Sequence, residues 1–278
     1  MKKNIKTEQL HTRLLSMAKD FHNFCQKYNI TYYMLGGTAL GARRHQGFIP
    51  WDDDIDLGVP REDYDKLLTL AKNLPPYLEF KFFENTNNSP MHFIKLIDNR
   101  TTLIEKRYKN YIEGLYIDIF PLDGAQSPIN NKKEVKRWKK IWFLHAMVIY
   151  HCQTLVPVSL LKKIFRLISR SVSLNWLHKQ ISIELRRYSI ENVPLIANYL
   201  GAWGKKEIMA KEIFGKPILY KFEDTFFYGP SRIDEYLTHL YGDFMKLPPK
   251  EKRVFKHDFF MLDFHTPYKQ YERRNKCV

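Results

Sequence analysis

The stretch Trp51-Asp52-Asp53-Asp54-Ile55-Asp56 constrains this chain more than any other. Its four carboxylates, within five residues, repel one another, and each is pushed toward its protonated form unless a cation intervenes. A fold that keeps the run together needs something positive there. From Asp52 to Val59 acidic and apolar residues alternate with a period of two, which predicts a strand with Asp54 and Asp56 on one face. Pro60 closes that strand, and the segment from Arg61 to Leu74 reads as a helix with proline just before its start.

Upstream, Leu10, Leu14, Met17, Phe21, Phe24 and Tyr28 recur at spacings of three and four, an amphipathic helix. Thr31 to Gly37 reads as a short buried strand stopping at two glycines, and the helix after it carries Thr38 in its first turn. Three further strand-like segments start at Leu78, His92 and Gly114. After Pro121 the character changes. Lys132 to about Arg187 is long, basic and helical, with Pro157 as the break between two helices. The expected organisation is a core over 1–125, a basic helical subdomain over 126–225 that contacts the acceptor or a membrane surface, and a C-terminal segment, 226–278, returning to the core.

Asp118 sits between Ile117 and Ile119, so an adjacent strand could bring it to the Asp54/Asp56 face. Oxygen-only ligands suit Mg²⁺ or Mn²⁺ rather than zinc. Metal ions held by three such carboxylates stabilise the attacking and leaving oxygens of an in-line displacement at phosphorus. The competing reading is a solvated acidic turn or a calcium loop. An EF-hand loop wants Gly at its sixth position and Glu at its twelfth, and this sequence has Leu57 and Asp63 there. Gly36 and Gly37, ending a strand before a helix, let backbone N–H groups approach a phosphate, and Arg43, Arg44 and His45 lie within reach to neutralise its oxygens. A plain turn and a solvated basic cluster would look the same.

Composition narrows the setting. Three widely spaced cysteines without a CxxC pair fit a reduced, intracellular compartment, and the charged N-terminus lacks the apolar core of a signal peptide. The formal charge of +15 is uneven: Asn131 to Arg187 holds thirteen Lys or Arg against two acids, 13 − 2 = +11. Such a field attracts nucleic acid, anionic lipid or a phosphorylated substrate. No RNA-binding motif supports nucleic acid. Ile141 to Leu161 is free of formal charge, but His145, His151, Gln153 and Pro157 argue against a membrane span. Two readings stand: a helix pair lying on anionic lipid, or a helical subdomain with a basic exterior.

The run from Gly36 to Asp56, with Gly114 to Gly124, Tyr241 to Met245 and Leu247-Pro248-Pro249, resembles the signature of the LicD family of phosphocholine transferases. That family is related to fukutin-type ribitol-phosphate transferases. The resemblance covers about residues 10–125 and 225–260, and implies an α+β, nucleotidyltransferase-like mixed sheet flanked by helices. It assigns Asp54, Asp56 and Asp118 as catalytic, metal-binding acids and Gly36, Gly37 and Thr38 as the phosphate-proximal turn, with Asp52 as a further acid. It also implies a CDP-choline donor and a glycan acceptor of the cell envelope, such as teichoic acid, capsule or lipopolysaccharide, often lipid-linked. CDP-glycerol or CDP-ribitol is the alternative donor. A nucleotide-adding protein is the alternative of another class. The expected location is cytoplasmic, peripheral at the inner face of the membrane.

Overall fold

A computed structural model describes residues 2–86, 89–108, 111–129, 131–153, 159–255 and 257–271. The chain enters through α1 (Lys2–Lys27), whose predicted apolar face is turned inward: Leu10, Leu14, Met17, Phe21 and Phe24 are buried, and Tyr28 packs at the edge. The short strand β1 (Tyr33–Met34) follows, then α2 (Gly36–His45), β2 (Asp56–Pro60), α3 (Arg61–Leu70), β3 (Leu78–Lys81), β4 (Ile94–Glu105) and β5 (Ile112–Ala125). Three helices come next: α4 (Lys132–Cys152), α5 (Leu160–Ser171) and α6 (Leu174–Leu185). The chain then returns to the sheet with β6 (Leu195–Ala197) and β7 (Ile208–Ala210), passes α7 (Lys211–Phe214) and the hairpin β8 (Ile218–Phe222) and β9 (Thr225–Gly229), and ends with α8 (Ile233–Tyr241) and β10 (Phe259–Asp263).

The main sheet runs β1-β2-β5-β4-β10, with β3 beside β4 and β6 and β7 added past the end of β5. It is mixed: β2 pairs parallel to β5, while the other described pairings are antiparallel. This is the expected α+β sheet with flanking helices. A parallel pair cannot be joined by a hairpin, and here α3, β3 and β4 make the crossover. Strand β5, held between β2 and β4, is buried along most of its length, which its nearly unbroken apolar sequence already required. Where β5 ends, Arg137 of α4 ties the helical layer down, donating to the carbonyls of Gly124, Glu184 and Leu185 and to the Tyr199 hydroxyl.

One expectation needs correction. The strand that carries the acids starts only at Asp56, the last residue of the acidic run, so Asp54 precedes it. The Asp52 N–H closes a turn onto the Ile49 carbonyl, and the Asp56 N–H is taken by the Thr38 hydroxyl at 2.8 Å. Regular pairing therefore begins only at Asp56. Pro157, the expected helix break, lies outside the described residues; α4 ends at Cys152 and α5 begins at Leu160. Among the described residues no helix is long and apolar enough to cross a membrane.

Candidate active site

The register of the parallel pair sets Asp56 beside Asp118, and the antiparallel pair on the other side sets Lys95 beside Asp118. Residues directly opposite in neighbouring strands share a face, so three ionisable side chains stand in a row across β2, β5 and β4. Asp118 is half-buried, but its Oδ1 is enclosed and has no hydrogen-bond partner. Burial pushes its carboxyl up to about 7; Lys95 and His257 pull it down, and Asp54 and Glu113 push it further up. An enclosed carboxylate oxygen without a donor, beside a second carboxylate, is what a bound cation would satisfy.

Lys95 is not that cation. Its Nζ donates to Glu113 Oε1 at 2.7 Å, lies 3.8 Å from Glu105 and 3.4 Å from the centre of the Tyr116 ring. Burial disfavours its charge, but Glu113, Glu105 and Asp118 outweigh burial and hold it protonated. It is a fixed positive wall behind Asp118.

His257 reaches the acidic run from the C-terminal segment. Its backbone N–H donates to Asp53 Oδ2 and its Nδ1 to Asp53 Oδ1, both at 3.0 Å, and Nδ1 lies 3.7 Å from Asp54 Oδ2. Burial lowers its affinity for a proton, yet the Asp53 hydrogen bond and the charges of Asp54 and Asp53 raise its pKa to about 9. Asp53, Asp54 and His257 can offer ligand atoms within 4.8 Å of one another, a group that could hold a metal ion. Sequence reasoning assigned Asp53 no role and left His257 out. The acid one position before Asp54 was visible in the run, but nothing local marks a histidine 257 − 53 = 204 residues downstream as its partner.

The glycines stand directly against the acids. Gly36 has φ of +49° and its N–H donates to the Tyr236 hydroxyl at 2.9 Å. A β-carbon there would lie 3.5 Å from Asp56 Oδ2, and one at Gly37 would lie 2.4 Å from Asp52 Oδ2. The pair makes room for two carboxylates, with Asp52 itself buried. Thr38 pins the start of β2 through the bond described above. The basic cluster divides. Arg43 forms a two-pronged ion pair with Asp234 of α8, Arg44 donates to the Phe244 carbonyl, and His45 stands edge-on to Trp51. Arg43 is thus held by α8 at the surface, whereas Arg44 is near enough to Asp52 to feel its charge. Tyr241 brings its hydroxyl to 3.7 Å from where a Gly36 β-carbon would stand, completing the rim next to Asp56.

Comparison with known proteins gives the arrangement a lineage. Residues 29–162 match the family model described as LicD/FKTN/FKRP, nucleotidyltransferase domain, a span that holds Asp52 to Asp56, Lys95 and Asp118. The lipopolysaccharide cholinephosphotransferase LicD of Haemophilus influenzae is 30% identical over 250 residues, covering 85% of this chain and 90% of that protein. Human ribitol 5-phosphate transferase FKRP is 53% identical over 34 residues, 12% of this chain and 7% of that protein. Mannosyltransferase regulator 4 of Saccharomyces cerevisiae is 29% identical over 129 residues, 44% of this chain and 10% of that protein. Together, the near full-length match and the family domain over the acids show that this chain belongs to the LicD family and is a transferase.

Proposed function

We propose that this protein transfers phosphocholine from CDP-choline to a sugar hydroxyl of a cell-envelope glycan, with Asp54, Asp56 and Asp118 as its catalytic acids. The observation that carries the reading is the Asp56–Asp118 pairing across β2 and β5 with Asp118 Oδ1 enclosed and unpartnered, in a chain similar over most of its length to a cholinephosphotransferase. The donor set is mainly carboxylate, which fits Mg²⁺ or Mn²⁺. Asp54, Asp56 and Asp118 would hold the ion, with Asp53 and His257 steadying Asp54. Such an ion, when bound, offsets the charge that builds on the phosphates as CMP leaves.

In the reaction the acceptor oxygen forms a bond to the choline-bearing phosphorus, the bond from that phosphorus to the CMP oxygen breaks, and the hydroxyl proton must go to a base. Asp118, beside Asp56 across the β2–β5 pair, is the group we assign to accept it. Asp52, packed against Gly37, and Tyr241 border the space where the phosphates would lie. A second reading keeps the site and changes the group moved to a polyol phosphate from CDP-glycerol or CDP-ribitol; the short stretch shared with a ribitol 5-phosphate transferase supports it.

CMP release measured with Mg²⁺ across CDP-choline, CDP-ethanolamine, CDP-glycerol and CDP-ribitol separates the two. CDP-choline is expected to turn over fastest, and the Asp54→Asn/Asp56→Asn double variant to be inactive. Normal turnover by that variant would remove the acids from the mechanism.

A further inference from the structure

Helix α5 is mounted the wrong way round for a helix in water. Leu160, Leu161, Ile164, Leu167 and Ile168 fall on one stripe, about 120° wide at 100° per residue, and all five are exposed, Leu161 at 79% and Leu167 at 69%. The side facing the protein carries Arg166 and Ser169, both buried, with Phe165 packed against Phe143 and Tyr150 of α4. The Arg166 Nε is enclosed without a partner, a cost that turning the stripe inward would avoid. Lys163 and Arg170, both exposed, run along one border of the stripe.

We propose that the outward face of α5 docks on an anionic lipid bilayer, lying in the plane of the interface with its leucines and isoleucines among the acyl chains. Charge chooses this occupant over a second copy of the chain. The segment from Asn131 to Arg187 carries an excess of 13 − 2 = +11, so two copies meeting through α5 would bring like charges together, whereas acidic headgroups complement them. An apolar stripe with a basic border is the pattern that binds at an interface without crossing it. The inference is independent of the donor, because vesicle binding requires no turnover.

The test is co-sedimentation of the full chain with vesicles of phosphatidylcholine alone and of phosphatidylcholine with phosphatidylglycerol, at low and high salt. Binding to the anionic vesicles is expected to be at least tenfold the stronger and to weaken with salt. Leu161→Gln/Leu167→Gln should lower it at least tenfold; because both side chains are exposed, thermal melting should match the wild type. Phe226→Gln, at an exposed apolar residue on β9, should bind as the wild type does. Failure of the wild type to bind anionic vesicles, or equal binding by the double variant, would overturn the proposal. So would a dimer in sedimentation equilibrium that the double variant dissolves.

Discussion

Helices α1 and α5 are both amphipathic, and they are mounted in opposite senses. In α1 the face of Leu14, Met17 and Phe21 is wholly buried, with Phe21 edge-on to Phe80 of β3. In α5 the corresponding stripe is outside and an arginine and a serine are inside. A periodic apolar face states that something must cover it, and the pattern is silent on what the cover is. For α1 the cover is the sheet of the same chain. For α5 none of the described elements supplies it, which makes α5 an outward-looking helix on an inward-looking core.

The sharpest test of that contrast is truncation on each helix. Phe21→Ala should lower the free energy of unfolding by about 3–5 kcal/mol, read from urea denaturation, because the cavity it leaves cannot be filled from α1 or β3. A loss under about 1 kcal/mol would mean that α1 is not part of the core.

A smaller effect is expected where the helical layer meets the sheet. His178 of α6 stacks on both Phe83 and His92, which also stack on each other, and burial pushes His178 and His145 down to about 4. Unfolded, both would titrate near 6.5. Between those values the unfolded chain takes up protons that the folded chain refuses. Stability is therefore fully present above about pH 6.5 and drains as the pH falls toward 4, by about 1–3 kcal/mol for each histidine. Urea midpoints at pH 7 and pH 4.5 check this, and His178→Phe should reduce the difference. An unchanged difference in that variant would place the acid-labile groups elsewhere.

The smallest effect closes the comparison from the other side. Leu167→Ser, on the outward stripe of α5, should change stability in solution by no more than about 0.5 kcal/mol, seen as an unshifted melting temperature. A loss of 2 kcal/mol or more would show that the stripe is covered by protein after all.

Much of the core was legible in the sequence, because its signals are local. The face of α1, the stop at Pro60, the helix after it and the apolar run of β5 all rest on spacings of two to four residues, and the structure has each of them. The acids Asp56 and Asp118 were legible as types, while their adjacency is a matter of register between distant strands. What escaped is non-local or depends on rotation. The histidine that grips Asp53 comes from the far end of the chain, and the close packing of the glycine pair on Asp52 and Asp56 depends on how the acidic run folds back onto α2. The direction in which α5 turns its leucines is likewise set by the neighbouring helix, since either orientation has the same periodicity.

The parallel pairing of β2 and β5 also has a kinetic consequence. Asp56 and Asp118 are 118 − 56 = 62 residues apart, and β3 and β4 are threaded between them, so their meeting closes a long loop. During synthesis the acidic run leaves the ribosome well before the strand that completes its pocket. A nascent chain ending before β5 would therefore carry Asp52 to Asp56 as an ordinary solvated cluster, and Asp56 would gain Asp118 and the Lys95 beside it in one step, when β5 slots between β4 and β2.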